Sequence, residues 1–598
     1  MVAIAKDCGD GLVSGSSARG LKWKVANVDE RVALSLSQKV EIPEILAAIL
    51  YNRGVRDTAS AFEFLSPTLR SSMPNPMLLK DMDIAAERIA RAILNQEKIA
   101  IFGDYDVDGA TSSALLKRFF GDLGVESEIY IPNRILEGYG PTAAAFEDLM
   151  KRGNSLIITV DCGTVSFEAM EFASNKSLDV IVLDHHLGGA QLPPAYAIVN
   201  PNRVDDDFEH KHLAAVGVVF FAATAVRGLL RDQGYFNDHQ EPDLMMYLDL
   251  VALGTVCDVM ELKGLNRAFV TQGLKLINHR TNKGIAALSD VAKIDSQLQS
   301  YHLGFVIGPR INAGGRVGRG DLGAELLATN DATRAQELAL TLERLNQERK
   351  TVESIIFEEA IIQVEATDPG GKPMIMVVGE DWHQGVLGII ASRLKERYGK
   401  PSIVISTHGG IGKGSSRSIT GVDIGSMLAK AKAAGILTQG GGHAMAGGFS
   451  LDVGKMLELE EFLTQTLAGS RAAILAFKEV EVDCIISLSG ITGELAQVIA
   501  RASPFGSGNP QPRFLVPEVL ILDTRVVGEN HLMLIVGDAN SPRHGGTIKC
   551  MMFKALDTGY GLGLLRSVGK KASLLGSVQL HYQDAKRADL ILEDIILL

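Results

Sequence analysis

From about residue 85 the chain alternates two hydrophobic patterns. Stretches with apolar residues three and four apart ("DIAAERIARAILNQ", "AAAFEDLMKRG", "SFEAMEFASNKS") each precede a short unbroken apolar run ("KIAIFG", "SLIITV", "LDVIVL"). The first pattern belongs to helices packed by one face and the second to strands buried on both faces. Their alternation predicts an open, parallel α/β sheet. Upstream, to about residue 80, "EIPEILAAILYNRGV" and "TASAFEFLSPTLRSSM" carry short helical patterns punctuated by Pro and Gly, which read as a small helical module.

Residues 331 to 366 contain neither Gly nor Pro and keep apolar residues at helical spacing (Leu338, Leu342, Leu345, Val352, Ile355, Ile356), predicting one long helix closed by "DPGG" at 368 to 371. With only about two clean heptads it reads as a connector between lobes rather than a coiled coil. Beyond it, "PMIMVVG", "GVLGIIASRLKERYG" and "PSIVIS" restart β and α alternation in a Gly-rich lobe. From about 475, "FLVPEVLILDTRVVG", "HLMLIVG", "TIKCMMF", "KASLLGSVQLHY" and "ADLILEDIILL" are spaced as the strands of a small barrel. The organisation read from the chain is a helical module over 1–80, an α/β domain over 81–330, a connecting helix over 331–371, a second α/β domain over 372–470 and a barrel over 471–598.

A length of 598 residues agrees with several domains, and 46% hydrophobic with 22% charged residues is a soluble globular composition. The longest apolar stretch, "LAAVGVVFFAATAV" at 213 to 226, is too short to span a bilayer and is closed by Arg227, so a buried helix or strand is expected and no membrane association. The N-terminal residues lack the pattern of a secretory signal. Cys8, Cys162, Cys257, Cys484 and Cys550 are scattered and never in CxxC spacing, which indicates neither disulfides nor zinc and fits a reducing cytoplasm. A net charge of −12 means that any nucleic-acid binding must come from local basic clusters, and taken alone it argues weakly against a DNA binder.

The chemistry gathers where the apolar runs end. "IFGDYDVDGATSSALL" sets Asp104, Asp106 and Asp108 on alternate positions, which an extended chain would point to one side. Solvated loop carboxylates would be the better reading for one such triplet alone. A calcium loop fails, because Leu115 stands where the twelfth-position Glu is needed and a strand precedes the triplet in place of a helix. The other runs decide the matter: "LIITVDCG" ends in Asp161, "DVIVLDHH" in Asp184, His185 and His186, and "LDLVALGTVCDVM" adds Asp258. Ligand sites of open α/β sheets collect at the carboxyl ends of strands. Carboxylates gathered there without a cation would repel or protonate, so two divalent cations are expected. Mostly oxygen ligands with an imidazole favour manganese, with magnesium second, and a metal pair suits phosphoester hydrolysis.

"HGGIGKGSSRS" is not a Walker loop, since Gly414 follows Lys413 where Ser or Thr must hold magnesium. Its glycines beside Lys413, Ser415, Ser416 and Arg417 are expected to cradle a phosphate with backbone N–H groups, in preference to a plain Gly-rich turn. Arg134, Arg310, Arg316 and Arg319 stand in similar turn-like strings. Phe505, Phe514, Phe553 and Tyr582 read as barrel core or as base-stacking platforms, with no clear surface stripe to choose between them.

"DYDVDG", "VDCG", "DHH" and "GTVCD" resemble, in order and rough spacing, the DHH phosphoesterase superfamily. "IPNRILEGYG", "GPRINAGGR", "WHQGVLGIIASRL", "GKGSSRS", "GGGHAMAGG" and "PFGSGNPQPRF" resemble its RecJ branch of bacterial single-stranded-DNA-specific exonucleases. The resemblance runs from about residue 40 to the C-terminus. It implies a parallel-sheet DHH domain joined by the long helix to a DHHA1 α/β domain, followed by an OB-fold β-barrel. It further implies a 5′ to 3′ exonuclease releasing 5′-mononucleotides in recombination and repair, whose two lobes form a cleft too narrow for duplex. Asp106, Asp108, Asp161, His185 and Asp258 would hold the metals, with Asp161 bridging and with Asp104 and Asp184 as ligands or orienters. His186 would stabilise the transition state or assist the leaving group. Arg134, Arg310, Arg316, Ser416, Arg417 and His443 would contact the strand, with Ser416 and Arg417 near its 5′ phosphate and His443 near the scissile bond. A monomer working with a single-strand-binding protein and a RecQ-type helicase is the family expectation. Gly315 and Gly447 depart from the alanine expected in many relatives, which bears on loop shape. Competing readings are a phosphodiesterase for cyclic dinucleotides or short oligonucleotides, a manganese pyrophosphatase, and a replication scaffold that has lost catalysis. The barrel and "PFGSGNPQPRF" speak against the first, chain length against the second, and the complete ligand set against the third.

Overall fold

The computed structural model describes residues 13, 15–134, 137–138, 140–367, 372–470, 478–539, 546–581 and 584–598, so Cys8, the "DPGG" helix stop and Tyr582 lie outside the described residues. The chain forms two compact units, one of residues 66–350 with 504–510, the other of residues 1–65, 351–503 and 511–598.

In the first of these, strands β1 (Ile99–Gly103), β2 (Ser127–Tyr130), β3 (Leu156–Val160), β4 (Asp179–Leu183) and β5 (Ala197–Val199) form an all-parallel sheet in the order β2-β1-β3-β4-β5. Every residue of β1 and β3 is buried, as continuous apolar runs in a sheet covered on both faces require. Helix α1 (Met82–Leu94) leads into β1, and helices α2 (Val107–Asp122), α3 (Ala143–Lys151) and α4 (Phe167–Asn175) supply the crossovers. One face packs a large core with α1, α2, α5 (Ala215–Asp232) and α6 (Leu248–Cys257), and the other a smaller core around Phe102, Phe146 and Met170. The ambiguous stretch at 213 to 226 is thus the buried helix α5. The sheet order reverses between β1 and β3, which opens a crevice at their carboxyl ends. "DYDVDG" and "VDCG" follow those two strands.

The long helix is observed as α7 (Ala332–Ala366). Leu338, Leu342 and Leu345 pack into the core of the first unit, whereas Ile356, Ala360 and Val364 pack into a core with Trp382 and Ile390. The boundary between the units falls inside the helix, between Lys350 and Thr351.

In the other unit, β6 (Ile375–Glu380), α8 (Leu387–Tyr398), β7 (Ser402–His408), β8 (Ile411–Arg417), β9 (Gln439–His443) and β10 (Ala446–Asp452) build a mixed sheet in the order β9-β10-β8-β7-β6. Strands β11 (Phe514–Val527), β12 (His531–Asp538), β13 (Ile548–Met552), β14 (Lys571–Leu580) and β15 (Ala588–Leu597) run in the order β11-β12-β13-β15-β14. A further β11–β14 pairing closes them into a barrel. Helices span Glu44–Asn52 and Thr58–Leu65, as the N-terminal patterns indicate, with a further helix at Glu30–Val40, but this segment packs as part of the unit that holds the barrel. Lys22–Val25 pairs with Glu479–Val482, Trp23 Nε1 donates to Asp594 Oδ2 at 3.0 Å, and Arg53 pairs with Asp483 at 2.7 Å.

Candidate metal centre

The three aspartates after β1 converge by a route other than an extended chain. Asp106 is the N-cap of α2, its Oδ1 accepting from the N–H groups of Asp108 at 2.9 Å and Gly109 at 3.1 Å, so Asp108 already lies in the first helical turn. Asp is a favoured cap because its oxygen satisfies helix N–H groups that have no intrahelical partner. Gly109 lets the turn close, since a Cβ there would stand 2.4 Å from the Asp104 carbonyl oxygen. Asp108 is buried at the N-terminus of α5, where the Ala215 and Val216 N–H groups donate to its two oxygens at 2.6 and 3.0 Å.

Asp161 follows β3 with a φ of 61°, a left-handed conformation uncommon for a side chain other than Gly and frequent at functional sites. Asp258 caps the carboxyl end of α6; the fourth apolar run is therefore a helix. Around these, His185 Nε2 lies 3.3 Å from Asp161 Oδ1, 3.5 Å from Asp258 Oδ2 and 3.9 Å from Asp108 Oδ2. Potential ligand atoms of three sets, Asp104 with Asp106 and Asp161, Asp161 with His185 and His186, and Asp108 with His185 and Asp258, each fall within 4.8 Å of one another. Asp161 and His185 each belong to two of these sets.

Burial, reinforced by the charge of Asp106, pushes the Asp108 carboxyl up to about 7 and those of Asp104 and Asp161 well above the ordinary range. Burial and the charges of Asp108 and Asp106 raise Asp258 to about 9. Asp104 Oδ1 and Asp258 Oδ2 are buried with no hydrogen-bond partner. Acceptors left bare among mutually repelling carboxylates are what hard divalent cations satisfy, so the residues present fit such ions. Burial brings His185 down to about 4, keeping the neutral form that ligates a metal.

Asp184 plays a different part and belongs to none of the three sets. It accepts from the N–H groups of Thr164, His185 and His186 and from His186 Nδ1 at 2.7 Å. Burial would raise it, but these donors, His186 first, hold it well below the usual carboxylate range. Burial would likewise lower His186, yet the Asp184 carboxylate holds it up to about 9. The two histidines are further fixed from behind: Asn200 Nδ2 donates to the His186 carbonyl and to Thr164 Oγ1, both at 2.8 Å, and Asn202 Nδ2 donates to the His185 carbonyl. The string "NPN" at 200 to 202, one strand after "DHH", was the sequence signal for this support.

Of the arginines in the same unit, Arg134 places its guanidinium 4.8 Å over the Tyr105 ring, and the positive charges of Arg134 and Arg316 act on Tyr105. Tyr105 stands between Asp104 and Asp106, and no feature of the sequence besides that position marks it. At Gly315 a Cβ would meet the Tyr105 carbonyl oxygen at 2.7 Å, so this departure to glycine seats Arg316 against the aspartate loop. Arg310 is committed to the fold, paired with Glu343 at 2.6 Å and donating to the Val306 carbonyl at 2.7 Å, while Arg319 pairs with Asp321.

Ser416, Arg417 and His443 belong to the other unit, and the expected backbone cradle is corrected there. Residues 411 to 417 are the central strand β8, paired with β7 on one side and β10 on the other, so their N–H groups serve the ladders. Ser416 is fully buried and donates to the Gly447 carbonyl at 3.1 Å; Arg417 donates to the Ser416 carbonyl at 2.8 Å; His443 ends the exposed edge strand β9. A Cβ at Gly447 would come within 2.5 Å of Leu428 Cδ1. Phe514 is barrel core, whereas Phe553 is exposed.

An α/β sheet with aspartates and paired histidines at its carboxyl ends defines a phosphoesterase of the DHH class. Residues 98–255 match the DHH family, N-terminal domain, 370–469 the DHHA1 domain and 482–594 the RecJ OB domain. The single-stranded-DNA-specific exonuclease RecJ of Bacillus subtilis is 33% identical over 96% of this chain and 71% of its own length; that of Haemophilus influenzae is 39% identical over 81% and 85%. The crystal structure of RecJ from Thermus thermophilus in complex with Mn2+ superposes with a TM-score of 0.75 at 26% identity, covering 96% of this chain and 79% of that one. The chain belongs to the RecJ family.

Proposed function

We infer that this protein is a metal-dependent exonuclease specific for single-stranded DNA, acting from the 5′ end and releasing 5′-mononucleotides in recombination and repair. The observation that carries the reading is the sharing of Asp161 and His185 among three ligand sets, which suits two adjacent divalent cations. Asp106, Asp108, Asp161, His185 and Asp258 would hold them, with Asp104 beside Asp106. Manganese is favoured by the mixed carboxylate and imidazole donors, with magnesium able to substitute. When bound, the cations supply Lewis-acid activation of water and neutralise charge at phosphorus.

The chain's own groups do the rest. Asp184 orients His186 and raises its basicity, which suits it to hold the charge developing at phosphorus or to give a proton to the leaving oxygen. Arg134 and Arg316, gathered about Tyr105, offset phosphate charge beside the aspartates. Residues 372–470, with Arg417 and His443, and the barrel over 471–598 would bind the strand, while Ser416, buried and bonded to Gly447, would act by positioning Arg417. Partnership with a single-strand-binding protein and a RecQ-type helicase, a monomeric state and a cytoplasmic location complete the proposal. No helix of the described residues is long and apolar enough to cross a membrane.

The test is manganese-dependent digestion of a long oligonucleotide labelled at either end, single-stranded and annealed, by wild type and Asp106→Ala. Mononucleotides leaving only from the 5′ end of the single strand, with a folded but inactive variant, sustain the reading. Cleavage of dinucleotides or pyrophosphate alone would move the function to a small-substrate branch.

A further inference from the structure

The helical stretch that packs against Cys257 and Tyr105 carries an aromatic pair that none of the roles above employs. Tyr301 and Phe305 are 61% and 72% exposed, the two most exposed large aromatic side chains among the described residues. Their rings stack with centroids 5.1 Å apart and planes 26° apart. They sit at the start of a continuous helical stretch, Ser300–Val317, in which Leu303–Ile307 form a π-helical turn. π-turns are uncommon and recur at functional sites. Burying aromatic surface is a large stabilisation, so two rings held in water need a reason other than packing.

The stretch is fastened around the metal centre at three points. The Cys257 thiol, one residue before Asp258, donates to the Leu303 carbonyl at 3.4 Å, and a Cβ at Gly308 would stand 2.6 Å from the Cys257 sulfur. At its far end Gly315 lies against the Tyr105 carbonyl, bringing Arg316 to the aspartate loop. At its near end Ser300 Oγ donates to the Phe505 carbonyl, and Leu262, four residues past Asp258, donates its N–H to the Ser507 carbonyl at 2.8 Å. Val259, 67% exposed, adds apolar surface directly beyond Asp258. Phe305 and Arg316 are eleven residues apart, three helical turns, and so lie toward one side of the stretch.

We propose that Tyr301 and Phe305 form a base-stacking platform for the single strand on the helical stretch that also carries Arg316. Every base has a π-face, so such a platform binds without reading sequence, as an exonuclease requires. The inference rests on the proposed function and adds a nucleobase contact to it. The occupant is a nucleic-acid strand because the platform is continuous through Ser300–Val317 with an arginine and a phosphoester-cleaving site.

The experiment compares wild type, Tyr301→Ala, Phe305→Ala, Phe305→Leu and Phe305→Trp on 5′-phosphorylated oligonucleotides in manganese, with one abasic nucleotide stepped inward from the 5′ end. Wild type should show a raised KM when the abasic site reaches one defined position, with kcat little changed. Phe305→Ala and Phe305→Leu should raise KM about tenfold on intact strands, in the range of one lost stacking contact. They should then be indifferent to the abasic site, while Phe305→Trp keeps both wild-type values. Leu preserves apolar area without a π-face, which separates stacking from packing. If wild type digests strands but the variants match it in KM and abasic response, the platform is refuted, including the outcome in which the pair serves a protein partner. If wild type does not digest single strands, the functional reading itself has failed.

Discussion

Asp184 Oδ1 lies 2.7 Å from His186 Nδ1 while also accepting from the backbone N–H groups of His185 and His186, so one carboxylate fixes both the ring and the chain that carries the histidine pair. Replacing it by Asn keeps the shape but removes the charge that raises the basicity of His186. Asp184→Asn should therefore lower kcat by about 10²-fold or more, the range of a lost acid–base contribution. Manganese affinity, read by calorimetry, should change far less, because Asp184 belongs to none of the ligand sets. Equal losses in kcat and manganese affinity would instead make it a ligand.

Asp106 does two jobs that substitutions can separate. Asn caps helices as well as Asp, so Asp106→Asn should preserve α2 yet relieve the repulsion that raises Asp104, Asp108, Asp161 and Asp258. In chelator this variant should melt at or above wild type. With manganese the order reverses: wild type should gain about 3 kcal/mol at a hundredfold excess over Kd, and the variant much less. Asp106→Ala should also lose the cap, about 1 kcal/mol, in both conditions. Differential scanning calorimetry with and without chelator reads all three.

Asp249, in the first turn of α6, carries a pH dependence separate from the metal centre. It is fully buried, its Oδ2 has no hydrogen-bond partner, and burial pushes it up to about 6 despite the charge of Arg118. An unfolded chain releases that proton near pH 4, so between about pH 4 and 6 the folded state binds more protons and stability falls as pH rises. The loss amounts to at most about 3 kcal/mol above pH 6. Asp249→Asn should lack this slope and exceed wild type in stability above pH 6. Denaturant unfolding at pH 4, 5, 6 and 7 would show it; parallel pH profiles for the two proteins would contradict it.

The pair Arg53 and Asp483 ties the N-terminal helices to the chain leading into the barrel. Both side chains are buried, and Asp483 also accepts from Asn52 Nδ2 at 3.2 Å and the Arg513 N–H at 3.0 Å. Asp483→Ala would take the carboxylate partner from the buried Arg53 guanidinium, at a cost of up to about 3 to 5 kcal/mol. Hydrogen exchange across residues 30–65 should accelerate in that variant and partly recover in Arg53→Ala with Asp483→Ala, where both charges of the pair are gone. Unchanged exchange would show that the helices dock by apolar contact alone.

The order of these elements was legible along the chain because the local physics is strong. Apolar runs at β1, β3 and β4 can only be buried strands, the uninterrupted stretch from 332 to 366 can only be a helix, and aspartates and histidines closing three strands must meet at one end of a parallel sheet. The convergence of Asp104, Asp106, Asp108, Asp161, His185, His186 and Asp258 was therefore legible before their individual roles. The finer placements depended on partners far away in sequence. Only packing decided that Asp108 accepts from α5 and that Asp258 ends a helix. Only the strand ladders decided that the glycine-rich string at 411 to 417 is the middle of a sheet, since glycines read locally as a turn. Arg310 reads as a phosphate ligand by its string, yet Glu343 on α7 claims it, and nothing in the sequence marks Tyr105, Tyr301 or Phe305, whose surroundings and exposure only packing sets. The sequence by itself determined which side chains and which elements the protein has, because periodicity and charge act between neighbours. The tertiary structure decided which of those side chains are already satisfied and which are left to act, because hydrogen bonds, ion pairs and exposure are settled between residues a hundred positions apart.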